Sequence, residues 1–196
     1  VGSMLTINPV ATTIYTITGA NANCPTTQQL QIDVMPLPQF SLSSSANQIC
    51  VGQSASLTTI GVGNTYTLLP VGSVGSSFIV TPASSVNYSV VASNQSCTAT
   101  QQVALTVNAL PQITIGTSKL EICAGESVDL TAFGANSYTW GVGGSTNSLQ
   151  ITPAITTTYQ VLGTSAQGCV GTANFVQRVN ECTGIHQIVN RTGISV

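Results

Sequence analysis

Apolar and polar residues alternate in short runs along most of the chain, and Gly, Ser, Asn or Pro residues separate the runs. Alternation with a period of two indicates strands that bury one face of a sheet. No helical period extends beyond a single turn, so the pattern predicts an all-β chain. Residues 1–35 contain three such segments, namely Leu5/Ile7, Tyr15/Ile17 and Leu30/Ile32/Val34.

Two longer stretches each contain six such strands, which we label A, B, C, E, F and G. Six short strands per unit, joined by Gly/Ser/Asn turns, predict antiparallel β-sandwiches of immunoglobulin-like type. The apolar pairs that define them are Phe40/Leu42, Ala55/Leu57, Tyr66/Leu68, Phe78/Val80, Tyr88/Val90 and Val103/Leu105/Val107, then Ile113/Ile115, Val128/Leu130, Tyr138/Trp140, Leu149/Ile151, Tyr159/Val161 and Phe175/Val179.

A proline, a tyrosine six residues later and a closing cysteine recur in order along the chain. Self-similarity at a fixed period is typical of repeat architectures, and the interval from Cys50 to Cys123 is the repeat period of this chain. The period predicts a half-domain at 1–35 with strands E, F and G, immunoglobulin-like domains at 36–108 and 109–181, and a tail at 182–196. Because the linkers are short and contain proline, we expect a stiff tandem arrangement, a rod. The three copies are Pro9–Cys24, Pro82–Cys97 and Pro153–Cys169.

The first unit lacks strands A, B and C. Three strands alone would leave one apolar face uncovered. We expect that the parent protein continues upstream of residue 1 and supplies the missing strands. The alternative is that another chain supplies them, since the tail after Cys182 is too short to provide three strands.

The cysteine positions predict disulfides. If every strand reverses direction, the A–B and F–G turns lie at the same end of each sandwich, which predicts the bridges Cys50–Cys97 and Cys123–Cys169. Such bridges matter for domains that bury only a modest core. A zinc site would need close-spaced ligands such as C-x₂-C, and the sequence has none.

Two cysteines, Cys24 and Cys182, remain outside these pairs. Either Cys24 pairs upstream while Cys182 pairs downstream or stays free, or the two form a bridge between head-to-tail neighbours in a filament.

Composition narrows the function classes. The chain has three basic residues, five acidic residues and one histidine, and three basic residues cannot neutralise a nucleic-acid backbone. No apolar run is long enough to span a membrane. Six cysteines favour an oxidising compartment. The low charge also permits self-association, because little electrostatic repulsion keeps copies apart.

No catalytic or metal-binding constellation is apparent, so we expect neither enzyme activity nor a cofactor. His186 has no acid or nucleophile at the spacing of a hydrolase triad. The acids are too scattered for a calcium loop and accompany no cleft-forming insertion of a glycosidase. They are Asp33, Glu121, Glu126, Asp129 and Glu181.

The aromatic residues have structural and functional interpretations. Tyr138 and Trp140 share a face of strand C, where a tryptophan of an immunoglobulin-like sandwich belongs to the core; a sugar-binding platform is the alternative. Tyr15, Tyr88 and Tyr159 occupy one repeat position. They predict a hydroxyl-to-backbone hydrogen bond of the tyrosine-corner type.

The strings ICAGESVDLTAFGANSYTWGVGG and LQITPAITTTYQVLGTSAQGC resemble immunoglobulin-like repeats in large secreted proteins of the Bacteroidota, which the type IX secretion system exports. The segment 181–196 is similar to the lead-in of the C-terminal sorting domain, which this sequence does not include. The second unit departs from the family pattern, with Leu68 where the third has Trp140 and one extra residue within 61–64. In a bacterial protein, the N-glycosylation patterns at Asn87, Asn94 and Asn190 would be incidental.

The resemblance implies an extracellular or surface-exposed adhesin, stalk or filament. Our first hypothesis is a structural protein that self-associates or joins an upstream part of the same protein. The alternatives are an adhesin that recognises a surface glycan or protein, and an accessory segment of a larger secreted enzyme. Fold alone does not assign a ligand.

Overall fold

The computed structural model describes residues 4–21, 24–95 and 97–182, which form strands and no helix. Within these ranges there is accordingly no helix with the length and apolar character needed to cross a bilayer. The chain divides into two compact units, Val1–Val107 and Asn108–Val196. His186, Asn190 and the tail from residue 183 onward lie outside the described residues.

The first unit contains a two-stranded hairpin followed by a sandwich. In the hairpin, β1 (Thr13–Asn21) pairs antiparallel with β2 (Cys24–Ile32). One sheet of the sandwich has the order β3-β5-β8, and the other has the order β4-β10-β9-β6-β7. The strands are β3 (Gln39–Ser44), β4 (Gln48–Cys50), β5 (Ala55–Val62), β6 (Thr65–Leu69), β7 (Ser73–Val74), β8 (Ser77–Val80), β9 (Val86–Asn94) and β10 (Cys97–Asn108).

The second unit is a sandwich of the same design. Its sheets have the orders β11-β13-β15 and β12-β17-β16-β14. The prediction of an all-β chain with immunoglobulin-like sandwiches is therefore confirmed, whereas the rod remains a prediction. The strands are β11 (Thr114–Thr117), β12 (Glu121–Cys123), β13 (Val128–Phe133), β14 (Ser137–Trp140), β15 (Ser148–Ile151), β16 (Thr157–Thr164) and β17 (Val170–Asn180).

Each sandwich has its own apolar core, built from the alternating positions of both sheets. Leu57 and Val90 are fully buried in the first core, as are Leu130 and Val161 in the second. Burying one such side chain contributes about 1.5–3 kcal/mol. Strand β16 alternates between buried and exposed residues over most of its length, which is the pattern that the sequence predicted for strand F.

Strand A is divided in both sandwiches. Its first part, β3 or β11, pairs with strand B, and its second part, β4 or β12, joins the sheet that contains strand G. Strand β12 runs parallel to β17, with Cys123 opposite Asn180. The sequence predicted a single strand A. The divided strand matters for the disulfides, because it fixes the end of the sandwich at which Cys123 lies.

Strand E of the half-domain is missing from the structure. Leu5 and Ile7 were predicted to form it, but residues 4–12 form no strand. In the complete sandwiches, strands β8 and β15 hydrogen-bond to strand B. The described part of the half-domain contains no strand B, so a strand E there would have no neighbour for its backbone groups.

Strand A approaches the end of strand B closely in both sandwiches, and a glycine makes this possible. Gly61 and Gly134 have positive φ angles of 150° and 100°. A Cβ atom at Gly61 would lie 2.3 Å from the carbonyl oxygen of Gln39, and at Gly134 it would lie 1.9 Å from that of Gln112. The two glycines are separated by one repeat period, so the close approach is part of the repeat.

We expect Gly134→Ala to destabilise the second unit more than Gly143→Ala does. Gly143 also has a positive φ, of 99°, but a Cβ there would meet nothing within 4 Å. Both variants carry backbone strain of about 1–3 kcal/mol, and Gly134→Ala adds about 1–3 kcal/mol of overpacking. Urea unfolding of the two variants measures the difference, and equal losses of unfolding free energy would contradict the close approach.

Candidate functional site

The second part of strand A ends in a four-residue turn that holds a cysteine, which we call the cysteine turn. In the second unit it is Cys123–Glu126. The Glu126 N–H donates to the Cys123 carbonyl oxygen at 3.0 Å, and the Cys123 N–H donates to Glu126 Oε2 at 3.1 Å. Gly125 has a φ of 77°, which favours glycine.

The first sandwich repeats the cysteine turn at Cys50–Gln53. The Gln53 N–H donates to the Cys50 carbonyl oxygen at 2.9 Å, and the Cys50 N–H donates to Gln53 Oε1 at 2.9 Å. Gly52 has a φ of 87°. An amide oxygen thus performs the role that a carboxylate oxygen performs in the second unit.

The carboxylate gives the second turn a charge that the first lacks. Lys119 Nζ forms an ion pair with Glu126 Oε1. The hydrogen bond from Lys119 and the one from the Cys123 N–H lower the pKa of Glu126 from its ordinary value. The Glu126 side chain is half-buried, with 36% of its surface exposed.

Cys123 forms a disulfide with Cys182, across a Cα–Cα distance of 5.3 Å. Cys182 follows β17 by two residues and therefore lies at the same end of the sheet as Cys123. The predicted bridge Cys123–Cys169 is wrong. Both expectations for Cys182 are wrong as well, the bridge to Cys24 of a neighbouring chain and the downstream partner or free thiol, because Cys182 is bonded within its own unit.

The wrong pairing has a topological cause. Cys169 precedes the first residue of β17, whereas Cys123 lies beside the last, and the eleven residues of β17 span about 36 Å. Strand β14 runs in the same direction as β17, because both are antiparallel to β16. In the other sheet, β15 runs in the same direction as β11, because both are antiparallel to β13. Since β11 continues into β12, which is parallel to β17, strands β14 and β15 follow each other without a reversal. Counting one reversal for every strand therefore places the F–G turn at the wrong end.

The predicted bridge Cys50–Cys97 is also wrong. The Cys97 thiol is not in a disulfide, whereas Cys50 and Cys169 are both disulfide-bonded. Cys97 and Cys169 nevertheless occupy equivalent places beside the linkers. The Cys97 Sγ lies 3.8 Å from the carbonyl oxygen of Met35, and the Cys169 Sγ lies 3.9 Å from that of Asn108.

Cys24 is the first residue of β2. It precedes Cys97 by one repeat period and therefore shares the repeat position of that residue.

The predicted tyrosine corner is formed by other residues. Among the described residues, no hydrogen bond joins the Tyr15, Tyr88 or Tyr159 hydroxyl to the backbone; the rings of Tyr88 and Tyr159 are buried in the cores, and Tyr15 is half-buried. A Thr or Ser three residues before each tyrosine accepts a hydrogen bond from the N–H of a valine in or just after strand G. The three bonds are Val34 to Thr12 at 3.1 Å, Val107 to Ser85 at 2.9 Å and Val179 to Thr156 at 3.1 Å.

Sequence reasoning missed these hydroxyls, although a signal existed. Each tyrosine of the repeat has a Thr or Ser at the third position before it, and short hydroxyl side chains commonly satisfy backbone N–H groups at turns. The corner hydrogen bond was assigned to the tyrosine because the tyrosine is the larger of the two repeated residues.

Trp140 belongs to the core. Its side chain is 2% exposed, and its Nε1–H donates to the Thr146 carbonyl oxygen at 3.0 Å. The half-buried Tyr138 donates its hydroxyl proton to the Ala135 carbonyl oxygen at 3.0 Å. The core interpretation is confirmed for Trp140, and a buried ring cannot act as a sugar-binding platform.

A fully buried glutamine, Gln177 in β17, was not found by sequence reasoning. The two protons of its Nε2 are shared among three carbonyl oxygens, those of Lys119 and Leu120, each at 3.2 Å, and that of Arg178 at 3.3 Å. These bonds hold the segment that crosses from β11 to β12. The equivalent residue of the first sandwich is Leu105, which is also buried.

Within the described ranges, no group of three or more His, Cys, Asp or Glu side chains is placed to hold a metal ion.

No model of a protein family matches the chain, and no curated protein matches it. Solved structures with similarity include murine CEACAM1b, at 9% identity over 72% of this chain and 100% of that one, with a TM-score of 0.35. The N-terminal eight Ig domains of Down Syndrome Cell Adhesion Molecule match at 16% identity over 86% of this chain and 27% of that one, with a TM-score of 0.40. The insect immune protein hemolin matches at 13% identity over 85% and 56%, with a TM-score of 0.40.

We expect the double variant Cys123→Ser/Cys182→Ser to lower the unfolding free energy of the second unit by about 2–4 kcal/mol, because the disulfide restricts the unfolded chain. Denaturant unfolding without reductant measures the loss. Cys97→Ser is the control, since that thiol is in no disulfide. Equal midpoints for the double variant and the unmodified chain would contradict a stabilising bridge.

We expect Glu126→Gln to preserve the cysteine turn but to remove part of its pH dependence. The amide oxygen can accept the Cys123 N–H as Gln53 accepts that of Cys50. Because folding lowers the pKa of Glu126, its stabilisation is present above the unfolded value of about 4.3 and is lost as the pH falls through the folded pKa.

The measurement for Glu126→Gln is the unfolding free energy at about pH 6 and about pH 3. The decrease on acidification should be smaller in the variant than in the unmodified chain. An identical decrease in both proteins would show that the Lys119–Glu126 pair contributes nothing to the pH dependence.

Proposed function

We propose that the chain is a non-catalytic structural segment, a series of immunoglobulin-like repeats that forms part of a stalk or filament outside the cell or on its surface. The observation that carries the proposal is the recurrence of the cysteine turn, the strand A–B approach and the Thr/Ser corner from one repeat to the next. Repetition of the supporting geometry is what a scaffold requires.

The position of the Cys123–Cys182 disulfide supports a structural role. It joins the second part of strand A to the residue at which the chain leaves strand G. The bond therefore closes the second unit at one end, where strands otherwise fray most readily. Such a bond benefits a protein that must keep its fold outside the cell, where no reducing system or chaperone acts on it.

The resemblance to repeats of secreted Bacteroidota proteins supports export by the type IX system as part of the proposal. The low charge supports assembly through self-association or with another part of the same protein, because few charges must be desolvated when copies meet. The adhesin alternative would draw on exposed aromatic platforms, whereas Trp140, Tyr88 and Tyr159 are buried.

Electron microscopy of the purified chain tests the proposal. We expect regular filaments that persist between about 50 mM and about 500 mM salt, because contacts between chains of net charge −2 depend little on ionic screening. Dispersed short rods at all concentrations would count against a filament. Saturable binding to a glycan array by such dispersed rods would favour the adhesin instead.

A further inference from the structure

One face of the hairpin β1–β2 is exposed, although the equivalent face of strands F and G is buried in both complete sandwiches. Ile17 of β1 is 60% exposed, whereas its equivalents in strand F, Val90 and Val161, are both fully buried. Tyr15 is half-buried, and its equivalents Tyr88 and Tyr159 are buried. We call the side of the hairpin that carries Tyr15 and Ile17 its inner face.

The hairpin already has the geometry of strands F and G of a complete sandwich. Tyr15 pairs with Leu30 in the same register in which Tyr88 pairs with Val103. In the second unit, Tyr159 likewise pairs with an apolar residue of strand G.

The hydrogen bond from the Val34 N–H to the Thr12 hydroxyl is also the one found in both complete sandwiches. The hairpin therefore already has the strand register and the corner hydrogen bond of a complete sandwich.

Two observed cases show what covers such a face. In both complete sandwiches, the F–G pair is flanked by strand C and by the second part of strand A, and a sheet of the order A-B-E packs over it. The first core groups Tyr88 and Val90 of strand F with Leu57, Phe78 and Val80 of the A-B-E sheet. The complement of the inner face is therefore a half-sandwich with these strands and this apolar pattern.

We propose that the inner face of the hairpin binds the A-to-E half of an immunoglobulin-like repeat of this same type, joined to the chain ahead of Pro9. The hairpin is then the last part of a third sandwich. This inference concerns the fold of the segment and does not depend on the stalk or filament function.

The repeat offers a direct test. Pro82 follows Pro9 by one repeat period, so a copy of residues 36–81 placed directly before Pro9, in place of residues 1–8, recreates the natural junction between Thr81 and Pro82. In the copied segment, the cysteine that corresponds to Cys50 is replaced by serine (Cys50→Ser), so that the extension adds no thiol. Amide hydrogen exchange of β1 and β2 is measured in the unmodified chain and in the extended chain, together with the oligomeric state of each.

At protein concentrations below those at which filaments form, we expect both proteins to be monomeric. Exchange of the hairpin amides should slow by about 100-fold or more in the extended chain, since they become part of a cooperative core. Ile17→Asp in the extended chain should abolish that protection. Ile14→Asp is the matched control, because Ile14 is 58% exposed on the opposite face of the same strand. It should leave the protection intact.

Unchanged exchange in the extended chain, or equal effects of the two aspartate variants, would overturn the proposal. Slow exchange in the unmodified chain that appears only in a dimer would assign the inner face to a second copy instead, and would also overturn it.

Discussion

The parallel pairing between β12 and β17 is the constraint on which the second unit depends. It brings the second part of strand A to the end of strand G, with Cys123 opposite Asn180 and Cys182 two residues beyond. The crossing segment that makes this pairing possible is held by Gln177, whose amide satisfies two of its carbonyl oxygens. Removing that amide would take both hydrogen bonds from the crossing segment, each of which contributes about 0.5–1.5 kcal/mol.

The parallel pairing of β12 with β17 also explains why the strands could be predicted from the sequence and the disulfides could not. Alternating apolar residues predicted the strands of four or more residues, because that period is a local property of the chain. The short strands β4, β7 and β12 have two or three residues each and carry no period. The direction in which strand E runs depends on how the chain crosses between sheets after strand C. The short second part of strand A and the direction of strand E together decide at which end of the sandwich each cysteine lies. The order of the strands along the chain was therefore predictable from the sequence, whereas the disulfide partners were not.

Polar residues at core positions were equally hard to predict. Gln177 and Leu105 occupy one repeat position and are both buried, yet one packs against apolar neighbours while the other binds backbone carbonyls. Only the path of a distant segment decides which residue type fits. The Thr and Ser corner residues differ from this case, because their spacing from the repeated tyrosine is visible in the sequence.

The corner hydroxyls bear on the order in which each repeat folds. They join residues only 22 or 23 positions apart in sequence, and contacts at such short separation form before distant ones. This local element is nevertheless the last part of each repeat to be synthesised. Because synthesis proceeds from the N-terminus, strands A, B and E of a repeat are complete before its F–G hairpin. Their edges stay uncovered until that hairpin has been synthesised. Open edges of that kind invite pairing with other chains, so the interval before the hairpin emerges is the period in which the chain is most exposed to misassembly.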